Sequence, residues 1–444
     1  MIELLFKLLL GSSFALFFFF IFHKKQEIIF YVLFFIIVFF QELGKGFSSF
    51  NASIFFNQNF LSFANFKIMD LFIFLLFFLS LFNVKNKIFK KSPINLPIKI
   101  LTLYIIILLG VDYVNHDYFD FGSIRRQLSF VLLYFSLIRL LTLKKILFFN
   151  KVLAIMLLTK CFLNLVRFLA GFGIDSIRGK ATIFWDSGLI YGLGILCICL
   201  FSLIIHKNFI LKKRYSIIFF ILVSMVLLFA WRRNIWLSLL IGFLLVLQNA
   251  RLMSKIVGFN SLILIFILLA FSINIFPNAP LAKYVKSMNF FNEDIYYDRS
   301  NQVHLENVLG YYSILDDNPQ ILFFGRRGVL DSDYKNINKW EEYNLGTPHN
   351  AIVAKIFNEG IFAVILYIWV HVSFIFYCFK RRSEVQFTYN IYITGVVSFM
   401  LAHFILTLFF IPPETTFKGS FFIIFHMLTC ISIIESNNNQ NKIN

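Results

Sequence analysis

The chain has 444 residues, of which 59% are hydrophobic and only 14% are charged, and its mean hydropathy is +0.78. Soluble globular domains carry about 25% charged residues, so this composition excludes a soluble globule and predicts a polytopic membrane protein. The formal net charge of +18 would also suit a nucleic-acid-binding protein, and the distribution of charge along the chain decides between the two.

The charge is distributed unevenly. Residues 276–350 contain ten of the 23 acidic residues and seven of the 41 basic ones. Most other bases stand in short clusters between apolar runs, which is typical of the cytoplasmic loops of membrane proteins. The pattern predicts that residues 276–350 lie outside and that nucleic acid is not a partner. The clusters are His23–Lys25, Lys85–Lys91, Lys144–Lys145, Lys207–Arg214, Arg251–Lys255 and Lys380–Arg382.

The apolar segments predict twelve or thirteen membrane-spanning helices, because a span needs about 20 residues. From residue 67 onward the basic clusters alternate with segments predicted outside, and the one large outer loop precedes the eleventh span. Residues 47–66 are too polar to cross and are predicted to be interfacial. The segments lie near residues 4–22, 27–40, 67–83, 99–115, 127–143, 146–170, 185–205, 215–230, 235–249, 256–275, 351–378, 388–410 and 417–434.

These segments divide the all-α chain into four parts. Residues 1–275 form a transmembrane bundle, 276–350 an outer loop, 351–434 the C-terminal spans, and 435–444 a disordered tail. Residues 1–22 lack a basic n-region and an Ala-x-Ala cleavage site, so they are predicted to be a helix rather than a signal peptide. All five cysteines lie in apolar runs, which predicts neither a disulfide framework nor a thiol–metal site.

Arg232 and Arg233 lie in the sequence Ala-Trp-Arg-Arg-Asn-Ile-Trp between two apolar segments. Trp and Arg are common at the headgroup level, so interfacial anchoring is one interpretation. The alternation of loops places this turn outside, however, where basic residues run against the usual bias. A ligand role is therefore equally favoured, because a guanidinium stays charged and can hold two oxygens of a lipid diphosphate.

The outer loop contains further arginines. Arg299 lies in Tyr-Tyr-Asp-Arg-Ser-Asn, ahead of a stretch with helical periodicity from 301 to 315. The Pro and Gly residues of the segment 317–328 predict a structured turn. Solvation and ligand binding explain Arg299 equally well, whereas solvation is the favoured interpretation of Arg326 and Arg327. Three more arginines fall in predicted outer loops and would suit the same anionic surface: Arg125, Arg126 and Arg178.

His349 and Asn350 follow Pro348 at the end of the outer loop, and Glu359 lies within the apolar segment that comes next. An imidazole with a pKa near ~6.5 can take a proton from an attacking hydroxyl at neutral pH. A histidine bonded to backbone at a helix start is an equally good explanation. A carboxylate inside an apolar segment is costly and is usually buried against a partner. His304 has no His-x-x-x-His or Cys partner, so neither a metal nor a cofactor is predicted.

Together these elements resemble the O-antigen ligase and O-antigen polymerase superfamily. The resemblance covers roughly residues 178–375. It rests on the arginines of the outer face, on the Asn-Pro-x-x-x-x-x-Gly turn from Asn318, and above all on His349-Asn350 followed by Glu359-Gly360. Family members often have Ser-Arg-Gly where this chain has Arg-Arg-Asn, and Arg233 takes the matching position.

The resemblance implies a multi-helix membrane glycosyltransferase, similar in type to the GT-C enzymes, that is inverting and independent of metal. It implies a location in the bacterial inner membrane with the active site on the periplasmic side. The donor would be an undecaprenyl diphosphate-linked oligosaccharide, held by Arg233 and Arg299 with Arg232 and Arg326 nearby. His349 would activate the acceptor hydroxyl, and Asn350 and Glu359 would orient it.

Three functions remain open at this point. A polymerase would transfer the glycan to another lipid-linked repeat, with a chain-length regulator as a further partner, and this is the favoured function. A ligase would transfer the glycan to lipid A-core. A flippase for lipid-linked oligosaccharide would share the hydrophobicity, but it would show charges in many helices rather than one large outer loop.

Overall fold

A computed structural model of the chain describes residues 26–39, 59–61, 66–82, 92–116, 121–169, 174–175, 181–182, 187–207, 213–228, 233–248, 310, 314–316, 318–328, 351–407 and 417–440. Nearly all of these residues are helical, which confirms the predicted α-helical class. Two of the predicted apolar segments, 4–22 and 256–275, lie outside the described residues. Each of the other eleven coincides with one or two described helices.

The helices are numbered here in chain order. Two short 3₁₀ turns, Gly325–Gly328 and Arg382–Glu384, follow α9 and α11. The helices are α1 (Gln26–Phe39), α2 (Ile68–Leu81), α3 (Asn95–His116), α4 (Phe121–Leu140), α5 (Leu143–Leu169), α6 (Ser187–Ile205), α7 (Lys213–Leu228), α8 (Arg233–Gln248), α9 (Gln320–Phe324), α10 (Ala351–Glu359), α11 (Ile361–Arg381), α12 (Phe387–Thr407) and α13 (Phe417–Gln440).

Six of the described helices are long and apolar enough to cross a membrane: α3, α5, α6, α11, α12 and α13. Exposed apolar side chains such as Ile106, Val114 and Phe376 cover the outward faces of α3 and α11. Such a surface is stable against lipid and costly in water. These findings confirm a membrane-embedded helical protein, and the total of twelve or thirteen spans remains a prediction.

The centre of the molecule is formed by α6 and α13, whose spans are 83% and 89% buried. α6 is apolar on nearly all sides, as expected of a helix enclosed by other helices, whereas α13 also buries polar side chains such as His426 and Glu435. α6 packs against α7, α8, α12 and α13. α12 approaches α6 closely at Gly395, where an added Cβ would lie 3.1 Å from the Cα of Cys199. Small residues at such a crossing let two helix backbones come close together.

Two short antiparallel ladders depart from the all-α prediction. β1 (Asn59–Leu61) pairs with β2 (Phe66–Lys67), and β3 (Ile174–Asp175) pairs with β4 (Ala181–Thr182). The second ladder lies on either side of Arg178, in a loop that the sequence predicts to be outside. Two or three residues per strand fix the ends of a loop and add no sheet to the core.

The predicted span at 351–378 is two helices rather than one. α10 ends at Glu359, Gly360 has φ +86°, and α11 begins at Ile361. The prediction that Glu359 lies inside a continuous apolar helix is therefore wrong. Apolar periodicity runs through the break because both helices bury an apolar face, and the sequence marks the break only by the Glu-Gly pair.

Candidate functional site

Three elements meet along the part of α3 from Tyr104 to Asn115: α3 itself, the turn 318–328 and the break between α10 and α11. The polar residues at this junction are called here the Arg327 cluster. α3 contributes three of them on one face, since residues eight and eleven positions after the first return to the same side of a helix. The cluster consists of Tyr104, Asp112, Asn115, Arg327, Asn358 and Glu359.

Arg327 lies at the centre of the cluster and is only 2% exposed. Its Nε lies 3.7 Å from Asp112 Oδ1, and its Nη1 donates a 2.8 Å hydrogen bond to the main-chain oxygen of Asn358. The prediction that Arg327 is a solvated surface charge is therefore wrong. A buried guanidinium needs charge and hydrogen bonds in place of water; here Asp112 supplies the charge and the Asn358 main-chain oxygen supplies a hydrogen bond.

Two more side chains of α3 bind the neighbouring backbone. Asn115 Nδ2 donates a 2.7 Å hydrogen bond to the main-chain oxygen of Arg327. The Tyr104 hydroxyl lies 2.8 Å from the main-chain oxygen of Phe323 and 2.5 Å from that of Glu359. The hydroxyl has one proton, so it donates to one of these oxygens at a time. The ends of α9 and α10 are thus both tied to α3.

Glycine is required at both points where the turn and the break touch. Gly325 has φ +67°, and a Cβ there would lie 2.5 Å from the main-chain carbon of Asn358. Gly360 has φ +86°, and its Cβ would lie 1.9 Å from the main-chain oxygen of Phe323. Only glycine combines these positive φ values with such close backbone contact.

The side chain of Glu359 points to a basic partner. The residue is 6% exposed, and its Oε2 lies 3.4 Å from Lys355 Nζ, one helical turn earlier. The Lys355 ammonium also lies 4.9 Å from the centre of the Tyr367 ring, which adds a cation–π contact. The expectation that the carboxylate is buried against a partner is confirmed. The pairing favours a fixed carboxylate that orients neighbouring groups.

An apolar groove of about 480 Å³ runs beside the cluster, between α3 and the turn that contains α9. Its walls are mainly aliphatic and aromatic, and its polar groups lie on Asn115 and Gln320. Because the groove shares Asn115 with the Arg327 cluster, a ligand in the groove would contact the cluster at one end. The lining residues are Ile107, Gly110, Val111, Val114, Asn115, Gln320, Phe324 and Gly328.

The other predicted site residues fall differently. His349, Asn350, Arg299 and Arg232 lie outside the described residues. Arg233 is the first residue of α8, and its side chain is not described. Arg326 is half-buried in the 3₁₀ turn beside Arg327. The structure thus brings Glu359 and Arg326 to one junction and leaves the other positions as predictions. The side chains of Arg125, Arg126 and Arg178 are likewise outside the described part.

Sequence reasoning missed Asp112 and Tyr104. A signal for Asp112 was present, since it is the one acidic residue within the apolar segment 99–115, and an acid inside a span indicates a buried partner. Tyr104 carried no signal, because tyrosine is common in apolar segments of this chain. Its role depends on which backbone oxygens the fold places against its hydroxyl.

No model of a known protein family matches this chain, and no curated protein matches it either. Within the part of the chain that the structure describes, no group of three His, Cys, Asp or Glu side chains is arranged to hold a metal ion. The candidate site is therefore defined by its own chemistry, as a buried polar junction beside an apolar groove.

Proposed function

We propose that the protein is a membrane glycosyltransferase that polymerises undecaprenyl diphosphate-linked glycans at the periplasmic face of the bacterial inner membrane. The observation that carries the proposal is the contact between two sequence elements on which the family resemblance rests. The Asn318-Pro319 turn and the Glu359-Gly360 break lie far apart in the sequence. Arg327 Nη1 nevertheless donates to the Asn358 main-chain oxygen at 2.8 Å, and Gly325 packs on the same peptide.

That contact supports a common site, because a purely structural turn has no need to bury an arginine against the break that precedes a span. Burial of a charge is costly, and such groups in membrane proteins mark functional regions by default. Glu359 is the last residue of α10, and only Gly360 separates it from α11. His349 and Asn350 come shortly before α10 in the sequence and are proposed to complete the site.

The proposed reaction is a single displacement with inversion. The acceptor hydroxyl oxygen attacks the anomeric carbon of the donor glycan, and the bond from that carbon to the diphosphate oxygen breaks. His349 takes the hydroxyl proton as general base. Arg233 and Arg299 offset the charge that develops on the lipid diphosphate as it leaves.

The remaining site residues have supporting roles in this proposal. Asn350 and Glu359 orient the acceptor or the helix that presents it, and Arg326 and Arg232 extend the anionic surface. The groove between α3 and α9 has the apolar walls that an isoprenoid tail requires. A donor with its tail in this groove would hold its diphosphate near Asn115 and the Arg327 cluster.

The proposal is tested with purified protein, a synthetic undecaprenyl diphosphate-linked repeat and analysis of the products by mass. Chains of two or more repeats on the lipid, formed equally well with EDTA, are the expected result. Transfer that occurs only when lipid A-core is added identifies a ligase. Movement of labelled donor across vesicles without any new glycosidic bond identifies a flippase and contradicts the proposal.

His349→Gln is the matched variant for this assay. It keeps the size and hydrogen-bonding capacity of the side chain but cannot accept a proton at neutral pH. Turnover is expected to fall by ~10²–10⁴ with normal yield and melting, since that is the contribution of a general base. Normal turnover of the variant would remove His349 from the mechanism.

A further inference from the structure

Two residues of α3 that lie one helical turn apart contact Arg327. Asp112 binds the guanidinium of Arg327, and Asn115 binds its main-chain oxygen. Arg327 is thus held by α3 at both its side chain and its backbone. Residues three positions apart lie on one helix face, so a single edge of α3 makes both contacts.

Arg327 in turn contacts α10. Its Nη1 donates to the main-chain oxygen of Asn358, the residue before Glu359. The Tyr104 hydroxyl, on the same side of α3, lies within hydrogen-bond distance of the Glu359 main-chain oxygen. The backbone on both sides of the Asn358–Glu359 peptide bond therefore depends on α3.

We propose that Asp112 and Arg327 are positioning residues, which fix Glu359 and the start of α11 relative to α3 and its groove. The expected effect on turnover rests on the proposed function. The expected effect on the geometry of the break does not. Both side chains are only 2% exposed, so water cannot readily replace either partner. Loss of one partner leaves the other charge uncompensated, so the geometry of the break depends on both.

Two substitutions separate the positioning role from simple packing. Arg327→Lys keeps a positive charge near Asp112, but one ammonium cannot reproduce the fork that also reaches Asn358. Asp112→Asn keeps the shape of the side chain and removes its charge. A packing role predicts that Arg327→Lys is nearly neutral. A positioning role predicts that Arg327→Lys loosens the break while the protein stays folded.

The experiment measures the rate at which maleimide labels Asn358→Cys in membranes. This reporter keeps the main-chain acceptor, and the five native cysteines are all buried. Labelling is expected to rise about tenfold or more in the Asp112→Asn and Arg327→Lys backgrounds, because loss of the ion pair or of the charged hydrogen bond to Asn358 makes local opening more frequent. Asp316→Asn is the control, since it removes an exposed acid from a neighbouring helical turn.

Each outcome decides the proposal. Faster labelling with Arg327→Lys at an unchanged melting temperature supports it, and equal labelling in all backgrounds overturns it. Faster labelling only in variants that also melt earlier means a general loss of packing, which also overturns it. Where wild-type protein transfers glycan, the same variants are expected to lower turnover by ~10–10² with little change in the KM for the donor, as misplacement of a catalytic group does. Absence of transfer by the wild type would contradict the proposed function. The labelling result would still test whether Asp112 and Arg327 position the break.

Discussion

Two buried charged side chains show how one residue acquires a role. Arg327 and Asp112 each cost free energy when buried alone, and together they form an ion pair with a hydrogen bond to backbone. From the sequence, Arg327 was indistinguishable from its neighbour Arg326, which is only half-buried. The difference between a solvated and a buried arginine was decided by the position of α3.

A prediction at this scale concerns Glu359 and Lys355, which pair at 3.4 Å. Glu359→Gln leaves the Lys355 ammonium its contact with the Tyr367 ring, so melting should change by no more than a few degrees. If the carboxylate orients the acceptor, turnover should fall by ~10–10². Lys355→Gln leaves the buried Glu359 carboxylate without its cation. The melting temperature of this variant should therefore fall further than that of Glu359→Gln, and its turnover should fall less.

The measurement is a comparison of melting temperature and glycan transfer for the two variants under the same conditions. Opposite rankings of the variants in the two assays are expected. If both variants lose melting temperature and glycan transfer in parallel, the ion pair only stabilises the fold and Glu359 is not a site residue.

At the scale of elements, the break between α10 and α11 is the feature that the sequence concealed. Apolar periodicity continues across it, so residues 351–378 read as one span. The break exists because Gly360 has a positive φ and packs its backbone directly on the main-chain oxygen of Phe323. Tertiary contact thus overrides the local preference of this segment for a continuous helix.

The corresponding prediction compares two glycine-to-alanine variants. Gly360→Ala puts a Cβ 1.9 Å from the Phe323 oxygen at φ +86°, and backbone strain alone should cost about 1–3 kcal/mol. Gly110→Ala has nothing within 4 Å of its Cβ and lies inside α3, so it should stabilise by up to about 1 kcal/mol. Thermal unfolding in detergent, followed by fluorescence, measures both, and an unchanged melting temperature for Gly360→Ala would contradict the geometry of the break.

For the whole molecule, the distribution of basic clusters predicts which side of the membrane each loop faces. Residue 332, in the predicted outer loop, lies outside the described residues, whereas Ser383 lies in the basic turn after α11. α10 is too short to cross a bilayer and α11 is long enough, so we predict that a single crossing separates the two positions. Ser332→Cys should react with an impermeant maleimide in intact cells.

Ser383→Cys is the matched control and should react only after the inner membrane is opened. The measurement is the labelled fraction of each variant before and after permeabilisation. The reverse pattern would show that the protein is inverted, and it would place the Arg327 cluster on the cytoplasmic side, where a lipid-linked glycan polymerase has no exported donor.

The sequence by itself determined that this is a helical membrane protein, where most of its helices lie and that Glu359 is buried against a partner. Those properties depend on composition, periodicity and the cost of a lone charge in an apolar segment, all of which are local. Only the tertiary structure decided that Asp112 and Tyr104 meet the turn that contains Arg327, and that Gly360 interrupts a span. Contacts between residues that are far apart in the chain depend on how the helices pack, and no local pattern in the sequence encodes which backbone oxygen will lie beside which side chain.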